Sequence, residues 1–331
     1  MRSWSPERVA HAARVRLVSP APTAGGPERA VIDSRQAGPG TLFIGLKGVN
    51  HDGGSFAPEA LAAGAWGVLA TPEHAQAARA AAPGVVLAAE DPLGALQRLA
   101  TAWRRELAPK VVGVTGSAGK TSTKDLLQAV LAPTRRTFAS RANFNTEIGL
   151  PLEILGAPAG TEVLVLEMGM RGAGQIAQLA AIAEPDVAVI VSIGPVHLEL
   201  LGALEAVAAA KSELIEALPP GGTAIIPAGE PLLAIHLRDD ITTITFGEQG
   251  DVRLLAADEH RLEIDLAGRR TTLEVPFTQA HLRTNLLAAV AAAHALGTSP
   301  QGPIELTLSP GRGQRRTRAD GITVIDDCYN A

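Results

Sequence analysis

Val111-Val112-Gly113-Val114-Thr115-Gly116-Ser117-Ala118-Gly119-Lys120-Thr121-Ser122 is the stretch on which the fold turns. A β-branched, apolar run stops at closely spaced glycines, and Lys-Thr-Ser then opens an apparent helix over residues 123–131. Strand, glycine-rich turn and helix in that order predict a phosphate-binding loop. Glycines let backbone N–H groups close around phosphate oxygens, and the helix N-terminus adds partial positive charge. Gly116, Ser117, Ala118 and Gly119 would form the cradle, with Ser122 in the first helical turn. Lys120 would reach the terminal phosphates, and the Thr121 hydroxyl would ligate magnesium. One position departs from the strict pattern, which wants a glycine five places before Gly119, where this chain has Val114. A glycine-rich turn without nucleotide is the competing reading, and the order of the elements weighs against it.

With 331 residues the chain has room for two domains and part of another. Its 46% hydrophobic and 19% charged content is that of an ordinary globular protein. The net charge of −5, with a basic run only near Arg312–Arg318, argues against nucleic acid as a partner. A single cysteine, Cys328, excludes an intramolecular disulfide and a cysteine-based zinc cluster, and suits a reducing, cytoplasmic setting. Residues 1–10 lack the apolar centre of a signal peptide. Runs such as Val187–Val191 are too short to cross a bilayer, so no membrane segment is expected.

The expected class is α/β: a small N-terminal α/β domain, then a central doubly wound, mostly parallel P-loop sheet with an antiparallel edge. A third α/β domain would begin near the C-terminus. Domain limits fall at 1–90, 91–300 and 301–331. In the first, residues 41–46 and 85–87 read as strands and 57–65 as a helix; residues 92–107 look like a bridging helix. Between 110 and 297 the near-continuous aliphatic runs 111–114, 163–166 and 187–191 read as parallel strands covered on both faces. Helices are expected over 123–131, 174–183, 203–218 and 281–296, which places ligands at the carboxyl ends of the strands. Residues 252–256, 262–266 and 271–275 read as short antiparallel strands. Beyond Pro300, strands over 302–308 and 322–326 should flank an Arg-rich turn.

Residues that follow buried strands become site candidates. Glu167, directly after four aliphatics, is a hard-oxygen ligand for magnesium or else a solvated loop acid. His197, in Gly194-Pro195-Val196-His197, is a ligand or an ordinary loop histidine. Lys211, amid alanines on the 203–218 helix, reads by itself as a plain exposed lysine.

These stretches, taken together, resemble the Mur ligase family, whose enzymes build the peptide of bacterial cell-wall precursors. The resemblance rests on Gly113–Thr121, Asn143-Phe-Asn145-Thr-Glu-Ile-Gly149-Leu-Pro151, Glu167-Met-Gly169, Gly194-Pro-Val-His197-Leu-Glu199 and Ala210-Lys211-Ser-Glu213, in family order. Asp33-Ser34-Arg35, Gly40-Thr-Leu-Phe-Ile-Gly-Leu-Lys47-Gly48 and Ile325-Asp-Asp-Cys-Tyr-Asn-Ala331 narrow it further. They are similar to the member that adds D-alanyl-D-alanine to UDP-N-acetylmuramoyl-tripeptide.

The resemblance implies an ADP-forming carboxylate–amine ligase using ATP and two magnesium ions, acting through an acyl phosphate. Lys120 and Thr121 would hold the phosphates and a first magnesium, with Glu167 as a further ligand. His197 and Lys211 would hold the second, Lys211 as a carbamate, which overturns the plain reading of that lysine. Asn143 and Asn145 would lie near the acyl acceptor. Asn285 would contact adenine, Arg312 the phosphates and Asp327 the ribose, while Ser34, Arg35 and Lys47 would hold the uridine diphosphate end. Gly54, Thr146 and Leu282 depart from the family pattern, which has His, Asn and Asn there. The family also has a closing C-terminal domain beyond residue 331, so weak activity of this chain is expected, and a monomer. Two rivals remain: a ligase of folylpolyglutamate type with another acceptor, or a P-loop module that binds nucleotide without catalysis.

Overall fold

The computed structural model describes residues 1–20, 25–141, 143–196, 198–312 and 314–326. In chain order the first elements are α1 (Pro6–Ala13), β1 (Arg16–Ser19), β2 (Arg29–Val31), β3 (Thr41–Ile44), α2 (Ala57–Ala62) and β4 (Gly67–Ala70). Next come α3 (Pro72–Ala81), β5 (Val85–Ala88), α4 (Pro92–Leu107), β6 (Lys110–Thr115), α5 (Lys120–Leu131), β7 (Thr137–Ala139) and α6 (Gly149–Gly156). They are followed by β8 (Val163–Glu167), α7 (Gln175–Ala183), β9 (Val187–Ile190), α8 (Leu198–Leu201), α9 (Leu204–Glu216), β10 (Thr223–Pro227) and α10 (Pro231–Ala234). The last are β11 (Thr242–Phe246), β12 (Val252–Ala257), β13 (Arg261–Leu266), β14 (Arg269–Glu274), α11 (Ala280–Ala295), β15 (Gly302–Pro303), β16 (Gln314–Thr317) and β17 (Thr323–Asp326).

Two compact units result: Met1–Ala108 with Glu147–Gly160, and Pro109–Thr146 with Thr161–Ala331. The first boundary therefore falls at 108, not 90. The reason lies in α4, whose apolar face (Leu96, Leu99, Ala100, Trp103) is buried against α1 and α6. Trp103 meets Trp4 edge to face at 5.5 Å and donates its indole N–H to the Ala157 carbonyl at 3.2 Å. Such a face costs too much to leave in water for α4 to act as a free bridge. Residues 301–331, expected to open another domain, group with the second unit.

The first unit carries a five-stranded sheet in the order β1-β5-β4-β3-β2. Strands β2 to β5 are parallel and β1 runs antiparallel to β5. The Ala/Pro-rich stretch after Pro72 is helix α3, with Pro72 at its first turn, where proline lacks no needed N–H.

The second unit is built on a ten-stranded sheet, β15-β14-β13-β12-β11-β10-β9-β6-β8-β7. From β7 to β12 the pairings are parallel, and β12, β13 and β14 form the antiparallel edge. Helices α5 and α11 pack together, with α11 over β9 to β12, whereas α9 contacts β6 and β9 and packs on α7. Burial on both faces explains the unbroken aliphatic runs of β6, β8 and β9. Helix α11 is apolar nearly all round (Leu286 through Ala293 are buried), so it reads as a core helix, not a surface one. Strand β6 lies between β8 and β9, and the chain leaves it toward β8 before returning to β9. That reversal opens a crevice at the carboxyl end of β6. The expected strand over 302–308 shrinks to Gly302–Pro303, and the Arg-rich turn proves to be β16, paired antiparallel with β17.

Candidate active site

Strand β6 ends at Thr115 and α5 begins at Lys120, so only four residues turn the chain. Val114 is fully buried within the strand, which is why no glycine is needed there. Gly119 caps the helix at φ +81°, and a Cβ on it would lie 2.7 Å from Asn285 Oδ1 and 2.8 Å from Val191 Cγ1. Only glycine suits that position, in conformation and in space.

A second strand tip braces the loop. Ser117 N–H donates to the Ser192 carbonyl at 2.9 Å, and the Ser117 hydroxyl bridges Gly194 N–H and the Gly194 carbonyl at 2.9 and 3.0 Å. The Ser192 hydroxyl accepts from Ala118 N–H at 2.9 Å and donates to the Ala118 carbonyl at 3.1 Å. Lys120 arches back, its Nζ donating to the Gly116 carbonyl at 2.8 Å.

At the tip of β8, Glu167 is 3% exposed. Its Oε2 accepts from the Thr121 hydroxyl at 2.8 Å and its Oε1 from Asn145 Nδ2 at 2.8 Å. Its own N–H is bound by Ser140 Oγ at 3.0 Å. Arg312 Nη2 donates to Thr121 Oγ1 at 3.2 Å. Burial presses the Lys120 pKa below its ordinary value; the Glu167 carboxylate opposes this and Arg312 adds to it. Lys211, on α9, is 2% exposed, and burial together with the Lys120 cation brings its pKa down to about 7. It is not the exposed lysine its alanine neighbours suggest.

Glu167, Thr121, Asn145, Lys120, Lys211, Asn285 and Arg312 therefore gather around one loop. Asn143 is exposed. His197 and Asp327 lie outside the described residues. Two participants escaped the sequence reading: Ser192 and Ser140. Ser192 was findable, since it lies two residues past the end of β9, one strand over from the phosphate loop.

Among the described residues no cluster of three or more His, Cys, Asp and Glu side chains forms. A divalent cation would find the Thr121 hydroxyl and the Glu167 carboxylate, both hard oxygens that suit magnesium. The two oxygens fit such an ion because both are buried and lie 2.8 Å apart at the mouth of the phosphate loop.

In the first unit, Ser34, Arg35 and Lys47 stand at the carboxyl ends of β2 and β3. The Asp33 carboxylate accepts from Arg35 N–H at 3.0 Å and pairs with its exposed guanidinium at 2.6 Å, which lowers the Asp33 pKa. Lys47 is exposed and bridges the backbone at Asp52. His74 Nε2 lies 3.2 Å from Asp52 Oδ2, and its ring holds the Asp52 carboxyl below the usual range. A Cβ at Gly54 would lie 2.3 Å from His74 Cδ2, so the imidazole of α3 occupies the space a side chain at 54 would take.

Residues 114–293 match the Mur ligase middle domain, and residues 30–104 match a Mur ligase family catalytic domain. The UDP-N-acetylmuramoyl-tripeptide–D-alanyl-D-alanine ligase of Bacillus subtilis (strain 168) is 38% identical over 311 residues, covering 90% of this chain and 66% of that one. Its counterpart from Synechocystis sp. is 38% identical over 304 residues, covering 90% and 65%. This chain thus spans just under two thirds of the length of each. Among solved structures, MurF from Acinetobacter baumannii matches with a TM-score of 0.86 at 28% identity, over 99% of this chain and 73% of that one. MurF ligase from Thermotoga maritima in complex with ADP matches with 0.80 at 32%, over 92% and 71%. Phosphate loop, β8 carboxylate and sheet order thus agree with the sequence matches, and the chain belongs to the Mur ligase family.

Proposed function

We propose that this chain forms the substrate- and ATP-binding part of an ADP-forming ligase that joins D-alanyl-D-alanine to UDP-N-acetylmuramoyl-tripeptide, as its relatives are named for doing. The observation that carries the reading is the Arg312–Thr121–Glu167–Asn145 chain of hydrogen bonds at the mouth of the phosphate loop. A buried carboxylate at the metal-binding hydroxyl serves any magnesium-nucleotide site; what a protein that only grips a nucleotide has no use for is the further buried lysine, Lys211, near Lys120.

The tripeptide carboxylate would attack the γ-phosphorus of ATP and ADP would leave. The amine of D-alanyl-D-alanine would then add to the acyl phosphate, form the amide, lose a proton and expel phosphate. Two anions must approach in the first step, and Lys120 and Arg312 are the chain's own cations for holding them together. Asn145, oriented by Glu167, is the candidate for fixing the acceptor carboxylate. Magnesium held by Thr121 and Glu167 would supply further charge neutralisation. A second site would use His197 and Lys211. With its pKa brought down to about 7, Lys211 has a sizeable uncharged fraction near neutral pH, and carbon dioxide can convert that amine to a carbamate with release of a proton. That exchanges a repelling cation for an oxygen ligand.

Ser34, Arg35 and Lys47 would hold the uridine diphosphate end in the first unit, and Asn285 would border the adenine. A cytoplasmic monomer is the setting we infer, and no helix among the described residues is long and apolar enough to cross a membrane. Phosphate release from ATP is the test, with UDP-N-acetylmuramoyl-tripeptide alone and with D-alanyl-D-alanine added. Release that requires the tripeptide and rises with the dipeptide is expected; release indifferent to both would leave only a nucleotide-binding module.

A further inference from the structure

Asp125 is a buried carboxylate with no part in the chemistry above, and it gathers three donors. Its Oδ2 accepts from Ser309 N–H at 2.7 Å, and its Oδ1 accepts from Ser309 Oγ at 3.1 Å and from Lys124 Nζ at 2.5 Å. Asp125 is 6% exposed and Lys124 3%. Burying such a pair at a solvent-free helix face is expensive unless its remaining lone pairs are filled, and here a distant segment fills them. That segment is Ser309-Pro310-Gly311-Arg312. One end is held by Asp125, and the other ends at Arg312, whose Nη2 donates to Thr121 at 3.2 Å.

Thr121 and Asp125 are four residues apart on α5, so they share one face of the helix. A single rigid element thus grips both ends of the turn that carries the arginine. Gly311 is buried and sits at φ +74°, which tightens the turn between the two grips. We propose that Asp125, backed by Lys124, is a positioning residue that sets where Arg312 meets the nucleotide phosphates. The proposal rests on the ATP reading above. Through this clamp the helix that starts at the phosphate loop carries its own register for the arginine, and the guanidinium arrives pre-aligned.

Calorimetric binding of magnesium with a non-hydrolysable ATP analogue, and with ADP, to the full chain tests this without turnover. Arg312→Ala is expected to weaken the analogue by about tenfold or more, the usual effect of losing a hydrogen bond to a charged group. Asp125→Asn should weaken it severalfold. Ser309→Ala, which leaves the buried pair intact and guards against misfolding, should do so more mildly. In the Arg312→Ala background both effects should vanish, because Asp125 acts through Arg312. Additive losses in the double variants would overturn the proposal, and so would an Asp125→Asn chain that binds as the wild type does while Arg312→Ala fails. A wild-type chain that binds neither nucleotide would instead remove the ATP reading on which the clamp depends.

Discussion

The Thr121 hydroxyl donates to Glu167 Oε2 at 2.8 Å, joining the first turn of the phosphate-loop helix to the tip of the neighbouring parallel strand. Both side chains are nearly inaccessible to water, so neither can turn to solvent if the other is lost. The contact converts a loop that could hold any phosphate into one that presents two oxygens at a fixed place.

Replacing Glu167 with alanine removes the acceptor for Thr121 and for Asn145 at once. Leaving the buried Thr121 hydroxyl without its acceptor costs about 1–3 kcal/mol, and the half-buried Asn145 amide adds less. The Glu167→Ala chain should therefore melt lower and lose the magnesium dependence of nucleotide binding. Thermal denaturation with and without magnesium and ADP checks both; an unchanged metal response would remove Glu167 from the ligand set.

Lys211 sets a pH dependence with an unusual sign. Its pKa falls from the ordinary 10.5 to about 7 in the folded chain, so between those values the unfolded state binds more protons. Stability then rises with pH through that window, and the penalty is greatest below pH 7, where the buried amine must carry its charge. Lys211→Met should be more stable than the wild type near pH 7, by a margin that shrinks toward pH 9–10. Denaturant unfolding at the two pH values decides it. Equal margins would mean the lysine finds a charge partner in the folded state.

Ser192 presents a smaller but cleaner test. Its hydroxyl meets both the N–H and the carbonyl of Ala118, the middle of the phosphate cradle. Ser192→Ala should cost about 1 kcal/mol per lost bond and weaken ADP binding severalfold with the core untouched. Parallel melting and ADP titration separate the two effects.

Much of this architecture is written locally, and part of it is not. The β6 loop, Glu167 and the α4 limits (92–107) follow from strand–glycine–helix order, an acid after four aliphatics, and a proline opening. Lys211 was different: its sequence neighbours are alanines, and its depth comes from α9 packing on β6 and β9, visible only once the sheet is assembled. The insertion of residues 147–160 into the first unit is equally non-local. Leu150, Ile154 and Leu155 are buried, but nothing in their spacing says against which sheet. The Arg-rich segment misled because charge suggests a turn, whereas β17 supplies backbone partners that make it a strand.

Glu213, two residues beyond Lys211, ties that lysine's helix to the segment following Glu167. Its Oε1 accepts from Gly174 N–H at 2.6 Å and its Oε2 from Ala177 N–H at 2.9 Å. Gly174 caps α7 without any side chain of its own to accept those bonds, so the cap comes from a neighbouring helix. A carboxylate there also meets the positive end of α7. Glu213→Ala should destabilise the chain by about 1–2 kcal/mol, as cap removal does elsewhere. Glu213→Gln should recover part of this, since one amide oxygen replaces two carboxylate oxygens. If the tie also fixes the depth of Lys211, the alanine variant will release that lysine toward water and raise its pKa. The pH-dependent stability gain attributed to Lys211 should then flatten in Glu213→Ala. A full gain in that variant would show that α9 holds its lysine without help from α7.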